Sequence, residues 1–199
     1  KANLIFQLYV RGDEDWINGH IDRIEAANYT GFCLTVDSAK YGRRERDKIK
    51  NFTPARRSKL SGINYQSALN WDVVKRVRKR TKLPLIIKGI ATAEDALIAL
   101  DYGVDVIYIS NHGGRQLDHG LGSIEVVPEV VDVVKRKASI VVDGGFYRGT
   151  DILKAIALGA DAVGLGRLYA FGLAAFGQAG VKRILEILEE EMINAMALL

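Results

Sequence analysis

The alternation of two hydrophobic patterns constrains the fold of this chain more than any other feature. Six short apolar runs rich in Val and Ile recur along its 199 residues; they are NLIFQLYV from Asn3, GFCLTV from Gly31, LPLIIKGI from Leu83, VDVIYIS from Val104, SIVVDGG from Ser139 and DAVGLG from Asp161. Continuous apolar runs of this length are typical of strands buried on both faces. Segments with helical spacing separate them, so the sequence predicts a parallel sheet with right-handed crossovers.

Helix boundaries can be predicted from capping residues. Thr92 is expected to cap a helix that ends at Gly103, and Thr150 is expected to cap another that ends at Gly159. A third helix is predicted from Trp16 to Ala27, where apolar residues repeat at helical spacing. Strand and helix therefore alternate along the chain.

Polar residues cluster where the predicted strands end, and their distribution selects between two parallel architectures. These residues are Gln7, Tyr9, Thr35, Asp37, Lys88, Ser110 to Arg115, Asp143, Gly166 and Arg167. An open doubly wound sheet builds its site at one switch point, whereas a (β/α)₈ barrel collects residues from the ends of many strands. The sequence thus predicts a TIM (β/α)₈ barrel.

The number of strands indicates part of such a barrel. Six strand–helix units fit residues 1–199 as the last three-quarters of a single barrel domain, with both ends of the sequence looking cut. A complete barrel needs eight units, so we expect the functional protein to be longer by roughly 120 residues or more.

Composition excludes several classes of protein. The net charge of +4 would suit nucleic acid, but the densest basic run, Lys75 to Lys82, interleaves with valines as a solvated helix face does. We therefore expect no nucleic-acid partner. The one cysteine, Cys33, lies in an apolar run, which indicates a core thiol and a reducing compartment, with the cytoplasm expected. No apolar stretch approaches the roughly 18 residues of a membrane helix, and no pattern of metal ligands stands out.

Two successive glycine-rich turns indicate a phosphate site. DGGFYRGTD and DAVGLGR each place glycines after a strand and before a helix start, where backbone N–H groups and the helix dipole favour an anion. Arg167 adds a guanidinium that can pair with phosphate oxygens. Phosphate sites after strands seven and eight recur in this barrel.

Other strand ends carry groups suited to catalysis. Lys88 could form a Schiff base, steady a negative charge on a cofactor, or extend to water. Asp37 and Arg44 follow the second strand. His112 and Arg115 pair a possible base with a carboxylate clamp, and the glycines between them let both side chains point into one pocket.

The nonapeptide SNHGGRQLD at positions 110–118 resembles the active-site signature of the FMN-dependent α-hydroxy-acid oxidase and dehydrogenase family, which includes glycolate oxidase, lactate oxidase, mandelate dehydrogenase and flavocytochrome b2. FQLYV, LTVDSAKYGRRERD, LPLIIKGI, TAEDA, DGGFYRGTD and GLGR also occur in that family's order. The resemblance covers essentially the whole chain, and the nonapeptide is highly specific. It implies FMN as the cofactor and oxidation of a small L-2-hydroxy acid to a 2-keto acid.

The resemblance also implies a role for individual residues. Flavin contacts are expected from Gln7, Thr35, Lys88 and Ser110, and contacts with the ribityl chain and phosphate from Asp143, Gly144, Gly145, Tyr147, Gly166 and Arg167. Tyr9, Arg44 and Arg115 would bind the substrate's carboxylate and hydroxyl. His112 would be the base, and Asp37 would stabilise its protonated form.

Two departures from the family pattern affect these expectations. Tyr147 stands where the family usually has an arginine, which puts phosphate anchoring in question, since Arg148 is one position further on. Segment 47–70 is short and polar, without the apolar character of the membrane-anchoring segment found there in some dehydrogenases.

Several alternatives stay open from sequence alone. A Schiff-base aldolase barrel using Lys88 would explain the lysine and the phosphate loops but not His112 or Arg115. A non-catalytic barrel fragment would explain the missing units. Glycolate, lactate and mandelate are all candidate substrates, and oxygen, a quinone or a cytochrome are candidate electron acceptors. By resemblance, a homo-oligomer, such as a tetramer, is expected.

Overall fold

A computed structural model describes residues 2–40, 42–52 and 64–199, and its centre is one six-stranded parallel sheet. The strands are β1 (Ile5–Leu8), β2 (Gly31–Thr35), β3 (Leu85–Ile90), β4 (Val106–Ile109), β5 (Ser139–Asp143) and β6 (Ala162–Gly164). They lie side by side in chain order without a reversal. A doubly wound sheet would require a switch point, so this order confirms six consecutive units of a barrel.

The helices follow the strands as predicted. They are α1 (Glu14–Ala26), α2 (Glu45–Ile49), α3 (Trp71–Arg80), α4 (Ala93–Asp101), α5 (Ser123–Val134), α6 (Gly149–Ala157) and α7 (Arg167–Leu198). The long α7 is broken at Phe176 and Gly177, whose backbone angles are not helical. Right-handed crossovers between strands in consecutive order place the connecting helices on one face of the sheet, as in a barrel.

Capping confirms one predicted helix start and corrects another. Thr92 caps α4, because its hydroxyl accepts a hydrogen bond from the Asp95 N–H at 3.2 Å. The predicted cap Thr150 is wrong, since α6 begins at Gly149. There the Asp151 carboxylate accepts hydrogen bonds from the N–H groups of Tyr147 at 3.1 Å and Arg148 at 2.9 Å, so Thr150 falls within the first turn.

The two faces of the sheet have different chemistry. The face toward the helices is apolar and fully buried, with Phe32, Leu34, Ile87, Ile107 and Val142 among the most enclosed side chains. The opposite face carries polar side chains toward the strand ends, with Thr35, Lys88 and Tyr108 at paired positions on three neighbouring strands. Burial of the first face stabilises the sheet, while the second presents functional groups.

The basic run lies on α3 and beyond it, and three of its arginines are ion-paired. Arg76 pairs with Glu14, Arg78 with Asp105 at 2.7 Å, and Arg80 with Asp22. The buried residues of α3 are Val74 and Val77. This arrangement confirms an amphipathic helix whose outer face is solvent-exposed and ion-paired.

Within the described ranges, no helix combines the length and the apolar character that crossing a membrane requires. Of the 24 residues of the predicted polar loop at 47–70, eleven (53–63) lie outside the described residues. Its comparison with membrane-anchoring segments therefore stays a prediction.

Cys33 is predicted to be inert in the folded protein. It is buried in β2, and this burial raises the pKa of its thiol from 9.0 to about 12. An increase of about three units lowers the thiolate fraction near pH 8 by about a thousandfold, and the thiolate is the reactive form. Iodoacetamide should therefore leave Cys33 unmodified in the native protein and label it after denaturation, as measured by peptide mass spectrometry. Rapid labelling of the native protein would contradict this placement.

Candidate functional site

A cavity of about 440 Å³ lies at the carboxyl ends of the strands. Its lining comes from all strands but β2, from the segments that follow β1, β4, β5 and β6, and from the start of α7. The predicted site residues among its lining are Gln7, Tyr9, Lys88, His112, Arg115, Asp143, Gly144, Gly145, Tyr147, Gly166 and Arg167. The size is that of a small-molecule or cofactor site.

His112 is held at both ring nitrogens. Its Nδ1 lies 2.8 Å from both carboxylate oxygens of Asp37, and its Nε2 lies 3.0 Å from the hydroxyl of Tyr9. Because a carboxylate only accepts, Nδ1 carries the proton that it donates to Asp37. In the neutral imidazole Nε2 is then the acceptor, and it faces Tyr9 and the cavity. This tautomer suits a general base acting through Nε2.

The loop after β4 has the backbone conformation that the glycines predicted. His112, Gly113 and Gly114 all have positive φ, at 58°, 66° and 70°. The Ser110 hydroxyl accepts a hydrogen bond from the His112 N–H at 3.2 Å, and the Asn111 side chain accepts one from the Gly114 N–H at 2.9 Å. Two glycines and local side-chain bonds thus support the uncommon conformation that aims the imidazole.

Two neighbours of Asp37 hold its segment in place. Gly89 has φ of +112°, and a Cβ at this position would lie 2.6 Å from the Asp37 Cβ, so β3 needs a glycine there. The Gln116 side chain donates to the Asp37 carbonyl at 3.1 Å and accepts a bond from the Gly42 N–H at 3.3 Å. Gln116 therefore joins the loop that carries Arg115 to the loop that carries Arg44.

Lys88 forms a buried ion pair on the cavity floor. Its ammonium donates to the Ser110 hydroxyl at 2.5 Å and lies 3.0 Å from Asp143 Oδ2. The other carboxylate oxygen, Asp143 Oδ1, is buried and has no hydrogen-bond partner in the part of the chain that the structure describes. An unsatisfied buried acceptor is costly, so this oxygen is available to a donor from a ligand in the cavity.

Gln7 and Thr35 are joined directly. The Gln7 amide donates to the Thr35 hydroxyl at 2.7 Å. Behind them the buried side chain of Gln66 donates to the Thr35 carbonyl at 2.6 Å and accepts a bond from the Val10 N–H at 2.7 Å. Gln66 thereby connects the ends of β1 and β2.

Of the two helix starts that were predicted to bind an anion, those of α6 and α7, the structure leaves only the start of α7 free of bound carboxylates in the described part of the chain. The start of α6 is already occupied, since Asp151 accepts its first N–H bonds and Glu191 accepts one from the Gly149 N–H at 2.6 Å. The start of α7 has Gly166 as its cap, with no side-chain hydrogen bond. Of the two predicted dipole contributions, the one at the first glycine-rich turn is therefore taken up by carboxylates, and the one at the second, at the start of α7, stays open.

The neighbourhood of Tyr147 agrees with the concern about phosphate anchoring. Tyr147 lines the cavity and is 40% exposed, whereas Arg148 pairs with Glu191 at 2.7 Å. Arg167 lines the cavity, and its guanidinium lies close to Gly113, where an added Cβ would be 3.1 Å from Nη2. Of these two arginines, Arg167 is the one placed for an anion in the cavity.

The structure thus brings most of the predicted residues together. Thr35, Asp37 and Ser110 join the cavity residues through hydrogen bonds with Gln7, His112 and Lys88. Arg44 is the exception: it caps α2, is half-buried, and is not among the residues that line the cavity.

Three residues around the cavity were missed by sequence reasoning. Gln66 and Gln116 lie in loops without hydrophobic periodicity. Gln116 falls within the nonapeptide at positions 110–118, but the resemblance assigned it no role, and no pattern marked Gln66. Tyr108 lines the cavity beside Lys88, and a signal for it existed: it occupies the position two residues before Ser110, on the same face of the strand.

Comparison with known proteins agrees with this arrangement. The family model described as FMN-dependent dehydrogenase matches residues 1–65 and 56–199. An L-lactate oxidase of Nostoc sp. is 40% identical over 217 residues, which cover 98% of this chain and 60% of that protein. A peroxisomal (S)-2-hydroxyacid oxidase of Arabidopsis thaliana is 42% identical, over 100% of this chain and 60% of its own length.

Comparison with solved structures supports the fold, and one of those structures contains a flavin. A mandelate oxidase bound to 3,3-difluoro-2-hydroxy-3-phenylpropionic acid superposes with a TM-score of 0.89 at 42% identity, covering 98% of this chain and 58% of that one. A mandelate oxidase variant with a C4a-OH-FMN adduct gives a TM-score of 0.88 at 42% identity, covering 98% and 59%. These matches confirm the predicted fold and FMN as the cofactor, and the chain spans about 60% of the length of the relatives that it matches. The chain belongs to the FMN-dependent α-hydroxy-acid oxidase and dehydrogenase family.

Proposed function

We propose that the protein oxidises a small L-2-hydroxy acid to the corresponding 2-keto acid with FMN as its cofactor. The observation that carries this proposal is the position of His112, held by Asp37 on one ring nitrogen and facing a cavity with the other. A hydroxy acid needs a clamp for its carboxylate, a base for one proton and an acceptor for two electrons. Residues suited to the first two tasks are present, and bound FMN would be the acceptor.

The cavity residues fit FMN. Lys88 and Ser110 would hold the polar edge of the flavin ring, with Gln7 and Thr35 beside them. Asp143 Oδ1, an acceptor without a partner among the described residues, suits a hydroxyl of the ribityl chain. Gly145 and Gly166 have open space where a Cβ would stand, so a phosphate can approach their backbone closely. Arg167 would pair with that phosphate.

Bound FMN supplies the acceptor for the electron pair that leaves the substrate, and the protein orients the substrate. Arg115 lines the cavity and would pair with the substrate carboxylate through its planar guanidinium. Arg44 would complete the clamp from the loop that Gln116 ties to that of Arg115. Tyr9 would bind the substrate hydroxyl, since its own hydroxyl already lies at His112 Nε2.

His112 would take one proton from the bound hydroxy acid at Nε2. The charge that forms on the imidazole is stabilised by Asp37, whose two oxygens both lie 2.8 Å from Nδ1. Asp37 also fixes the ring orientation, so the base needs no reorganisation when the proton is transferred.

The names of the relatives guide the choice of substrate and electron acceptor. Those cited above are an L-lactate oxidase, an (S)-2-hydroxyacid oxidase and mandelate oxidases. We infer that the substrate is one of glycolate, L-lactate or L-mandelate and that dioxygen is the acceptor. The predicted homo-oligomer and cytoplasmic location stay predictions, and one relative is named as peroxisomal.

A Schiff-base aldolase using Lys88 is less well supported. A nucleophilic lysine must give up its proton, and the ion pair with Asp143 instead engages the ammonium form. That mechanism would also leave the Asp37–His112–Tyr9 hydrogen bonds without a use.

A product assay tests the proposal. The intact protein with FMN should convert L-lactate, glycolate or L-mandelate into the 2-keto acid and consume oxygen with equal stoichiometry to the keto acid. Borohydride trapping of a substrate adduct on Lys88, without keto acid formation, would support the aldolase instead. FMN binding without turnover of any of the three acids would contradict the substrate class.

Arg167 is expected to anchor the cofactor. Substitution Arg167→Gln removes a charge-assisted bond worth about 1.5–3 kcal/mol, so the Kd for FMN should rise by about 10- to 150-fold. Fluorescence quenching of free FMN on titration measures this change. Arg136→Gln, on the exposed turn after α5, is the matched control and should leave the Kd unaltered.

The substitution Tyr147→Arg gives the reverse test of the same site. If an arginine at this position reaches the phosphate, the Kd for FMN should fall by up to about tenfold, because one further charge-assisted bond forms. An unchanged Kd in both Arg167→Gln and Tyr147→Arg would place the phosphate elsewhere.

A further inference from the structure

Tyr108 lies beside both Lys88 and Asp143 in the cavity, although the catalytic scheme above gives it no role. It lies on β4, half-buried, and its Cα is paired with that of Lys88 on β3. The Lys88 ammonium lies 5.0 Å from the centre of its ring, within the range of a cation–π interaction. The ring is thus one wall of the site that holds the ammonium.

The hydroxyl of Tyr108, on β4, packs against Gly164 on β6. At Gly164 on β6, an added Cβ would overlap the Tyr108 hydroxyl and would lie 3.1 Å from both the Tyr108 Cζ and the Asp143 Cβ. Any other residue at this position would displace the phenol. Gly164 therefore forms a notch that fixes the position of the hydroxyl beside Asp143.

The phenol stays protonated in this position. Burial raises the pKa of Tyr108 above its usual value, and the negative charge of Asp143 raises it further. The group therefore presents an O–H dipole, not a second negative charge, to the carboxylate that pairs with Lys88.

We propose that Tyr108, seated in the Gly164 notch, is a positioning residue that fixes the Lys88–Asp143 ion pair and so sets how readily the bound flavin is reduced. Its ring supports the ammonium from one side, and its hydroxyl lies near Asp143, whose carboxylate pairs with the ammonium. This inference rests on the proposed function, since it requires FMN beside Lys88.

The direction of the effect follows from electrostatics. A reduced flavin carries more negative charge than an oxidised one, and a fixed ammonium nearby stabilises that charge. Without the phenol, the ammonium loses its supporting ring and the carboxylate loses a compensating dipole. The field at the cofactor then becomes less positive, and reduction becomes less favourable.

The test compares Tyr108→Leu and Tyr108→Phe in the intact protein reconstituted with FMN, by equilibration against a reference dye. At a fixed potential, Tyr108→Leu should lower the ratio of reduced to oxidised flavin by about tenfold, which is about 30 mV for a two-electron couple. Tyr108→Phe keeps the ring and should give a smaller decrease. Tyr102→Phe, at the end of α4 and stacked on Trp71, is the control and should leave the ratio as in the wild type.

A double-mutant cycle tests the notch and needs no flavin. Gly164→Ala should lower the Tm of the unliganded protein with Tyr108 present, since the new methyl overlaps the hydroxyl. With Phe at position 108, Gly164→Ala should lower the Tm much less. The effects of the two substitutions on the Tm should therefore be strongly non-additive.

The results of these two experiments distinguish a failure of the role assigned to Tyr108 from a failure of the proposed function. Additive effects in the cycle, or an unaltered flavin ratio in Tyr108→Leu with FMN bound, would overturn the role of Tyr108 and leave the proposed function standing. A wild-type protein that binds no FMN would overturn both.

Discussion

Replacing His112 with glutamine is expected to lower the rate of flavin reduction by a hydroxy acid by about 10²- to 10⁴-fold while FMN stays bound. The reason is the geometry of the imidazole, whose Nε2 faces the cavity while Nδ1 is held 2.8 Å from Asp37. Glutamine can fill similar space and form hydrogen bonds, but it cannot accept a proton at neutral pH. The chemical step should therefore slow, and cofactor affinity should change little.

Anaerobic stopped-flow absorbance measures this rate directly. The matched control is His119→Gln, because His119 is exposed and lies in the same loop, seven residues beyond His112. Its rate should equal that of the wild type within about twofold. If His112→Gln reduces its flavin as fast as His119→Gln does, His112 is not the base.

Truncating Arg115 to methionine should give the second large effect. In the substrate complex, loss of one partner of a hydrogen-bonded charge pair costs about 2–5 kcal/mol, so kcat/KM should fall by about 30- to 5,000-fold. Arg115→Lys should restore only part of this, because an ammonium cannot reproduce the planar two-point contact of a guanidinium with a carboxylate. Steady-state kinetics with each hydroxy acid provides the values.

The control for Arg115 is Arg43→Met, an exposed arginine paired with Glu45 outside the cavity lining. It should leave kcat/KM within about twofold of the wild type. Arg44→Met tests whether Arg44, which is half-buried and outside the cavity lining, contributes to the same carboxylate clamp. Equal kinetics for Arg115→Met and wild type would contradict the assignment of the carboxylate clamp.

The parts of the fold that follow from local rules were predictable from sequence. Six apolar runs became six parallel strands in consecutive order, because burial on both faces requires continuous apolar residues. Thr92 capped its helix, since the hydroxyl and the Asp95 N–H are close in sequence. Thr150 failed for one local and one tertiary reason. Its neighbour Asp151 accepts the Arg148 N–H, and Glu191, from a distant part of α7, accepts the Gly149 N–H.

In the candidate site, too, residues placed by local rules were predictable, and residues placed by distant contacts were not. Side chains at strand ends, such as Lys88 and His112, were predictable because parallel strands bring their carboxyl ends to one edge. Gln66 and Gln116 could not be found, because each joins backbone groups from loops that are far apart in sequence. The position of Tyr108, two residues before Ser110, could mark it as facing the cavity, but its packing on Gly164 could not be predicted, since β4 and β6 are not adjacent.

The most direct test of the proposed function is an anaerobic absorbance spectrum of the intact protein with FMN, recorded before and after addition of L-lactate, glycolate and L-mandelate in turn. We predict that at least one acid bleaches the visible flavin band and that admitting air restores it. A band that all three acids leave unaltered, with FMN demonstrably bound, would contradict the proposed oxidation of a 2-hydroxy acid.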